Sequence, residues 1–308
     1  MLPPTVRLRG AIRSAAAISV PALSTLLMLA PTSARGQAWV PPAGAGSMSF
    51  VVQAIDNTGH RLDDGSLLPD GKSTSVGLYV EGDYAVTDRI SLSVGIPYVF
   101  ARYRGPGPSP ANLPVDSCRC WQSGWQDFGF TARVNLVNGA FALTPSVSYG
   151  VPSHAYNYEG EAVVGRRLQE VRVALDAGRR LDAISPKLSV QGRYSYAFVE
   201  EVLDVPNDRS NAAVVGAYQF TRKVSVRVMA LWQHTHGGLR FPADVTTPEL
   251  FRQHDRLLRD NNWRLGAGMS YSWSRLDAFA SYIEYMGGTN THAGRVFTAG
   301  VSWPFGLR

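Results

Sequence analysis

"NWRLGAGMSYSWSRLDAFASYI", residues 262–283, is the stretch whose reading decides the fold. Trp263, Leu265, Ala267, Met269, Tyr271 and Trp273 fall on one face of an extended chain. Arg264, Gly266, Gly268, Ser270 and Ser272 fall on the other. Period-two alternation of this kind is the pattern of a strand with one apolar and one polar face. Ser274-Arg275 leaves room only for a tight turn, and a second segment of strand length follows at once.

The unit recurs along the chain. Segments near 47–57, 74–86, 90–103, 124–136, 140–151, 167–179, 187–199, 210–220, 223–236, 261–273, 276–287 and 294–305 have this length, twelve in all. The alternation is clean in several of them and poorer in the eighth, ninth and eleventh. Alternation alone also fits a soluble sandwich. The connections separate the two. Thr87-Asp88-Arg89, Asn138-Gly139, residues 181–185, Thr221-Arg222 and Ser274-Arg275 are short; 58–73, 104–123, 152–166, 200–209, 237–260 and 288–293 are the intervening long ones. A Greek-key sandwich does not keep two loop lengths in strict order. A bacterial outer-membrane barrel does, with short periplasmic turns, longer external loops and an even strand count. The expected fold is therefore all-β, an antiparallel up-and-down transmembrane barrel of twelve strands with both termini in the periplasm.

The aromatic residues agree. Tyr84, Phe141, Phe220, Tyr271, Trp273, Trp303 and Phe305 fall near short turns, and Tyr98, Phe100, Tyr149, Tyr196, Phe198, Trp232, Trp263 and Tyr285 near long loops. Two aromatic belts mark the two interfaces of a membrane. No helical period persists, and after residue 38 no apolar run approaches the length of a spanning helix. A mean hydropathy of −0.09 is compatible with a barrel, because only every second side chain meets lipid.

Residues 1–38 read as a secretory leader: Arg7, Arg9 and Arg13, then an apolar run from Ala15 to Ala30 broken by Pro21, then the small-residue exit Gly36-Gln37-Ala38. A cut is expected after Ala38, with one after Ala34 as the alternative, leaving 39–308 as the barrel. Of the 30 basic residues, four lie in the leader, and none of the 24 acidic ones do. The mature chain is thus nearly neutral, which removes the motive for nucleic-acid binding. The expected partners are outer-membrane lipid, the barrel-assembly machinery and a small solute.

The inward-facing candidates are Glu81, Asp83, Asp127, Arg133, Glu170, Arg172, Asp176, Arg193, Arg227, Arg264 and Glu284. A polar lumen is general for this class, and mixed charges either fill the barrel with ion pairs or line a path. Arg133, Arg193, Arg227 and Arg264 are the candidates for selecting an anionic solute, with Asp127, Glu81 and Glu284 as their acidic counterparts. Twelve strands lie between side-chain-filled barrels and open porins. A narrow passive channel and a closed structural barrel are both compatible with that size.

All six histidines (His60, His154, His234, His236, His254 and His292) fall toward the long loops, as do Cys118 and Cys120. Neither His-x-His nor Cys-x-Cys has the spacing of a strong zinc motif, so neither a metal nor a cofactor is expected. An enzyme is not expected either: Gly-x-Ser-x-Gly, the Walker loop and the dinucleotide fingerprint are all missing. Outer-membrane phospholipase A, another twelve-stranded barrel, is the nearest enzymatic comparison. Ser210, His234 and Asn262 are the candidates for its Ser-His-Asn arrangement, but its His-x-Ser-Asn-Gly run is replaced here by "HTHGG" (234–238).

"YAVTDRISLSVGIPYVFARY" (84–103) and "GWQDFGFTARVNLVNGAFALTPSVSYGVPS" (124–153) resemble the outer-membrane β-barrel family associated with the meta-pathway of phenol degradation. That family carries a Tyr-Gly-hydrophobic-Thr-Asp turn leading to a strand that ends in Pro-Tyr, here Tyr84 to Asp88 and Pro97-Tyr98. Its later Gly-x-Gly-Asp has become Gly124-Trp125-Gln126-Asp127, and Arg133 takes the place of the following arginine. The resemblance implies an outer-membrane transporter or channel, with a link to aromatic compounds.

The terminal stretch "TAGVSWPF" (298–305) alternates too, with Trp303 and Phe305 on the expected lipid face. Thr298, Gly300, Trp303 and Phe305 match the terminal assembly signal of outer-membrane barrels, although "SVGIPYVF" (93–100) and "GAGMSYSW" (266–273) have nearly the same shape. Phe305→Ala is expected to hinder insertion more than it alters any pore. The measurement is the yield of heat-modifiable protein in outer-membrane fractions; a normal yield counts against the signal.

Overall fold

The computed structural model describes residues 37–68, 71–105, 118–160 and 163–306. The expected leader, apart from Gln37 and Ala38, lies outside the described residues, as do positions 106–117 of the expected 104–123 loop. The strands are β1 (Gly46–Arg61), β2 (Leu67–Leu68), β3 (Lys72–Ala85), β4 (Ile90–Arg104), β5 (Gln122–Trp125), β6 (Asp127–Val134), β7 (Phe141–Pro152), β8 (Glu170–Arg180), β9 (Leu188–Val199), β10 (Asn207–Gln219), β11 (Val224–Gly237), β12 (Asn261–Trp273), β13 (Leu276–Thr289) and β14 (Thr291–Phe305). Each barrel strand pairs antiparallel with its sequence neighbour, and β14 pairs with β1 from Gly46↔Phe305 to Arg61↔Thr291. That last ladder closes the sheet. β5 and β6 form one barrel strand interrupted at Gln126, both pairing with β4, and β2 folds back on β1. The result is a closed antiparallel barrel of twelve strands.

Closure explains the outward surface. Met48, Phe50 and Val52 on β1, Leu78 and Val80 on β3, Val173 and Leu175 on β8, and Val228 on β11 all project away from the barrel and are exposed. Water-soluble monomers do not carry so continuous an apolar band, and lipid requires that no strand edge be left unpaired. All seven aromatic residues expected near the short turns are exposed, Trp273 at 66% and Trp303 at 57%. Between them Ser302 points inward, buried, and meets Ser49 Oγ at 2.9 Å.

Three expectations about the connections are corrected. The 288–293 segment is no long loop: β13 and β14 run on to a turn at Asn290 alone, whose φ is +49°. Much of 58–73 is strand, because β1 reaches Arg61 and β2 pairs back upon it. The 238–260 connection holds a helix, α1 (Pro248–Leu257). Thr247 caps it by accepting from the Leu250 amide, Pro248 stands in the first turn and Glu249 faces the positive end. Those start signals are local in the sequence, and a search for long periodic helices passes over them.

Two side chains lie on the opposite face from that expected. Glu284 shares the outward face of β13 with Tyr282, whose hydroxyl donates to it, and stands across from Arg295 on β14, so it is no lumen residue. Tyr285 faces inward opposite Arg264, and its hydroxyl donates to the Gly288 carbonyl. The pairing slips by one residue between Trp263 and Arg264, which moves Gly287 opposite Trp263.

Candidate functional site

The inward face divides into two walls. From β3 round to β10 it is charged. Arg133 on β6 pairs with Asp83 on β3, which also accepts from Ser93 Oγ at 2.7 Å. Arg193 on β9 donates to Asp176 on β8 at 2.6 Å and lies 3.4 Å from Ser146 Oγ. Higher in the barrel, Glu170 is held between Arg172, at 2.6 Å, and Arg209. These groups are nearly all buried, so each charge needs its partner to offset the loss of hydration. Arg209 is not among the expected lumen residues, because the eighth expected segment starts at 210. Continued backward from Asn211 and Ala213, the alternation puts it in phase with the inward face.

The other wall is apolar. Val215, Met229, Leu231, Ile283 and Val296 pack together with Ile55 and Ala213, and below them Val51, Tyr79 and Phe279 form a second cluster. Gly300 leaves the room that the Phe279 ring occupies, since a Cβ there would come 2.6 Å from the ring. Apolar residues on both faces explain the poor alternation of the eighth, ninth and eleventh segments. Within this wall lie Arg227 and Arg264, which make no salt bridge among the described residues; the Arg227 Nε is buried and unbonded.

Two cavities lie inside. One of about 170 Å³ toward the short turns is lined by Glu81, Asp83, Arg133, Arg172 and Arg193. The other, about 180 Å³ toward the loops, is lined by Arg166, Arg264, Asp255, Asp260 and His292. Gln126, at the break between β5 and β6, borders both. Asp127 beside it accepts a hydrogen bond from Tyr156, in a connection that folds into the barrel from the loop end. Tyr156 in turn accepts from the Arg167 amide at 2.7 Å.

Both ends carry covering segments. At the turn end Ala38 is fully buried: its carbonyl accepts from Thr144 Oγ1 at 2.7 Å and Asn135 Nδ2 at 3.2 Å. The Trp39 indole donates to the Gly139 carbonyl at 3.0 Å and packs where a side chain at Gly178 would collide. These contacts use Ala38, a residue that a cut after Ala38 removes and a cut after Ala34 keeps. At the loop end Arg256 of α1 donates to the Arg166 carbonyl at 3.2 Å and lies 3.9 Å over the Tyr158 ring. Asn290 ties in a neighbouring stretch by accepting from the Phe241 amide at 2.7 Å and donating to Asp63 at 2.8 Å. Burial would raise the Asp255 carboxyl on α1, but His254, His292 and His60 around it bring it below its ordinary value.

The enzymatic candidates do not assemble. Ser210 lies beside His234 in the ladder, yet its hydroxyl meets His236 Nε2 at 2.8 Å and the Tyr194 hydroxyl at 2.9 Å. Asn262 faces inward and donates to Asp260 at 2.7 Å. Cys118 and Cys120 form a disulfide.

A closed twelve-stranded barrel with an apolar outer band and a charged lumen has the fold of an outer-membrane β-barrel. Solved structures bear this out. The COG4313 outer membrane channel from Pseudomonas putida F1 superimposes with a TM-score of 0.68 at 15% identity, over 88% of this chain and 98% of that one. The β domain of the Bordetella autotransporter BrkA gives 0.52 at 13% identity, over 85% and 100%. At these identities the likeness is one of fold. The chain matches no family model and no curated protein, so the resemblance to the phenol meta-pathway family rests on the quoted segments.

Glu170 offers a test of the charged wall. Glu170→Gln leaves Arg172 and Arg209 buried without their carboxylate, and is expected to lower stability by about 3–5 kcal/mol. Urea unfolding of the protein refolded in lipid measures it; a loss within ~0.5 kcal/mol of zero contradicts the arrangement.

Proposed function

We propose that the protein is a passive outer-membrane channel for small amphipathic anions, of which an aromatic carboxylate is the simplest case. One observation carries this reading: a lumen with an apolar wall that holds Arg227 and Arg264, neither in a salt bridge among the described residues, facing a wall where Arg133, Arg172, Arg193 and Arg209 each already hold an acid. A flat apolar solute can slide along Val51, Phe279, Ile283 and Met229 while its carboxylate is drawn toward Arg227 and Arg264. Arg133 and Arg193 hold their own acids, so they shape the passage rather than select. The short turns face the periplasm in this reading. The inward-folded loop around Tyr156 and the segment carrying α1 form the gate at the external mouth. The fold shared with an outer membrane channel supports the reading, as does the sequence resemblance to a family linked to aromatic compounds.

A second reading has its own observation. Covering segments sit at both ends, and Gln126 stands where the two cavities meet. A barrel that never opens there is a structural protein. Planar bilayers separate the two: the channel reading expects single-channel steps with an anion-favouring reversal potential in a salt gradient. Arg227→Gln with Arg264→Gln should lower anion over cation permeability about tenfold, the factor carried by ~1.4 kcal/mol of lost attraction. Absence of steps supports the structural barrel, and unchanged selectivity in the double variant removes the arginines from the account.

A further inference from the structure

Two of the histidines gathered at the loop end meet an aspartate in one place. His60, near the end of β1, and His292, at the start of β14, are partners in the ladder that closes the barrel. Asp255 reaches the same point from α1. One ligand atom from each of these three residues lies within 4.8 Å of the others, and His292 Nε2 is 3.6 Å from Asp255 Oδ1. The segments they come from are far apart in the sequence, which is why no motif showed them.

A second observation points to a ligand. His60 is only 6% exposed, and its Nε2 is buried with no hydrogen-bond partner among the described residues. Buried imidazole nitrogens are ordinarily satisfied. The surroundings are those of a held site. The Phe241 ring packs against His60 at 4.6 Å and His254 at 5.2 Å, excluding water from one side. His254 keeps its Nδ1 on the Phe251 carbonyl at 2.6 Å, and its Nε2 lies 3.3 Å from Asp255 Oδ1. His292, the most exposed of the three, borders the cavity of about 180 Å³, which supplies a way in.

We infer that His60, His292 and Asp255 form a binding site for one divalent transition-metal ion, with zinc as the reference case. Two imidazoles and one carboxylate suit Zn²⁺ and its first-row neighbours rather than Ca²⁺ or Mg²⁺, which prefer all-oxygen sets. Metal–ligand bonds of about 2.0–2.1 Å bring ligand atoms closer than they now stand, and rotation of the His292 ring is the movement that closes the gap. The bound ion keeps a position for water. It joins α1 to the β1–β14 seam and so fastens the covering segment at the loop end. The site stands apart from the channel reading, because binding is measured without any transport.

The test uses the full mature protein without a polyhistidine tag, in detergent, stripped with a chelator and then titrated with Zn²⁺ or Co²⁺ alone. The expected result is about one ion per chain, with visible Co²⁺ absorption of a low-coordinate site. Asp255→Asn, and His60→Ala with His292→Ala, should each weaken binding at least tenfold while the protein still shows heat-modifiable migration. His234→Ala with His236→Ala should bind as the parent does. A parent protein without stoichiometric binding overturns the proposal. So does binding that survives Asp255→Asn and the His60/His292 pair, or that vanishes with His234 and His236.

Discussion

The pairing of β14 with β1 is the constraint on which the rest depends. Fifteen register pairs join the last strand to the first, from Phe305 against Gly46 to Thr291 against Arg61. Without that ladder two strand edges would stand open in hydrocarbon, where no water can satisfy them. With it, the apolar face of every strand must turn outward and the remaining face must fill or line a lumen. The chemistry of the inward face is therefore what distinguishes this barrel from others of its size.

That face settles its charges in two ways. Along β3 to β10, four arginines hold acids at contact distance: Arg133 with Asp83, Arg193 with Asp176, and Arg172 and Arg209 with Glu170. Removing one member leaves a buried charge uncompensated, so the pairs hold the wall in shape. Along β11 to β1 the barrel is lined instead by Met229, Leu231, Ile283 and Val296; Arg227 and Arg264 on this side make no salt bridge among the described residues, and Arg264 shares its cavity with Asp255 and Asp260. Buried cations outside salt bridges attract anions strongly because little water screens them. The division into an ion-paired wall and an apolar one gives the passage both a surface for an apolar body and a point of attraction for a negative group.

Strand number, closure and the lipid-facing aromatics near the short turns are legible in the sequence, because a barrel strand repeats with period two and short turns alternate with long connections. Trp263 to Trp273 shows why: each apolar residue is followed by a small or polar one, and the structure keeps that order to the end of β12. Legibility failed where the lumen is itself apolar. In β13, Phe279 and Ile283 face inward while Ala280 and Tyr282 face outward, so hydrophobicity no longer marks a side. The charge of Glu284 suggests an inward place; its outward hydroxyl partner, Tyr282, and the opposing Arg295 make the outward position tenable near the rim. Ion-pair partners could not be read at all, since Asp83 and Arg133 are separated by fifty positions and meet only because β4 lies between their strands. The convergence of His60, Asp255 and His292 is of the same kind.

The most direct test of the central claim is solute entry into proteoliposomes. Liposomes containing the protein are placed in an isotonic solution of a small aromatic carboxylate such as benzoate, and in parallel of a neutral sugar of similar size. A lumen with an apolar wall and two arginines that make no salt bridge among the described residues predicts swelling that is faster with the carboxylate. Equal rates for the two solutes, or no swelling with either, would contradict it.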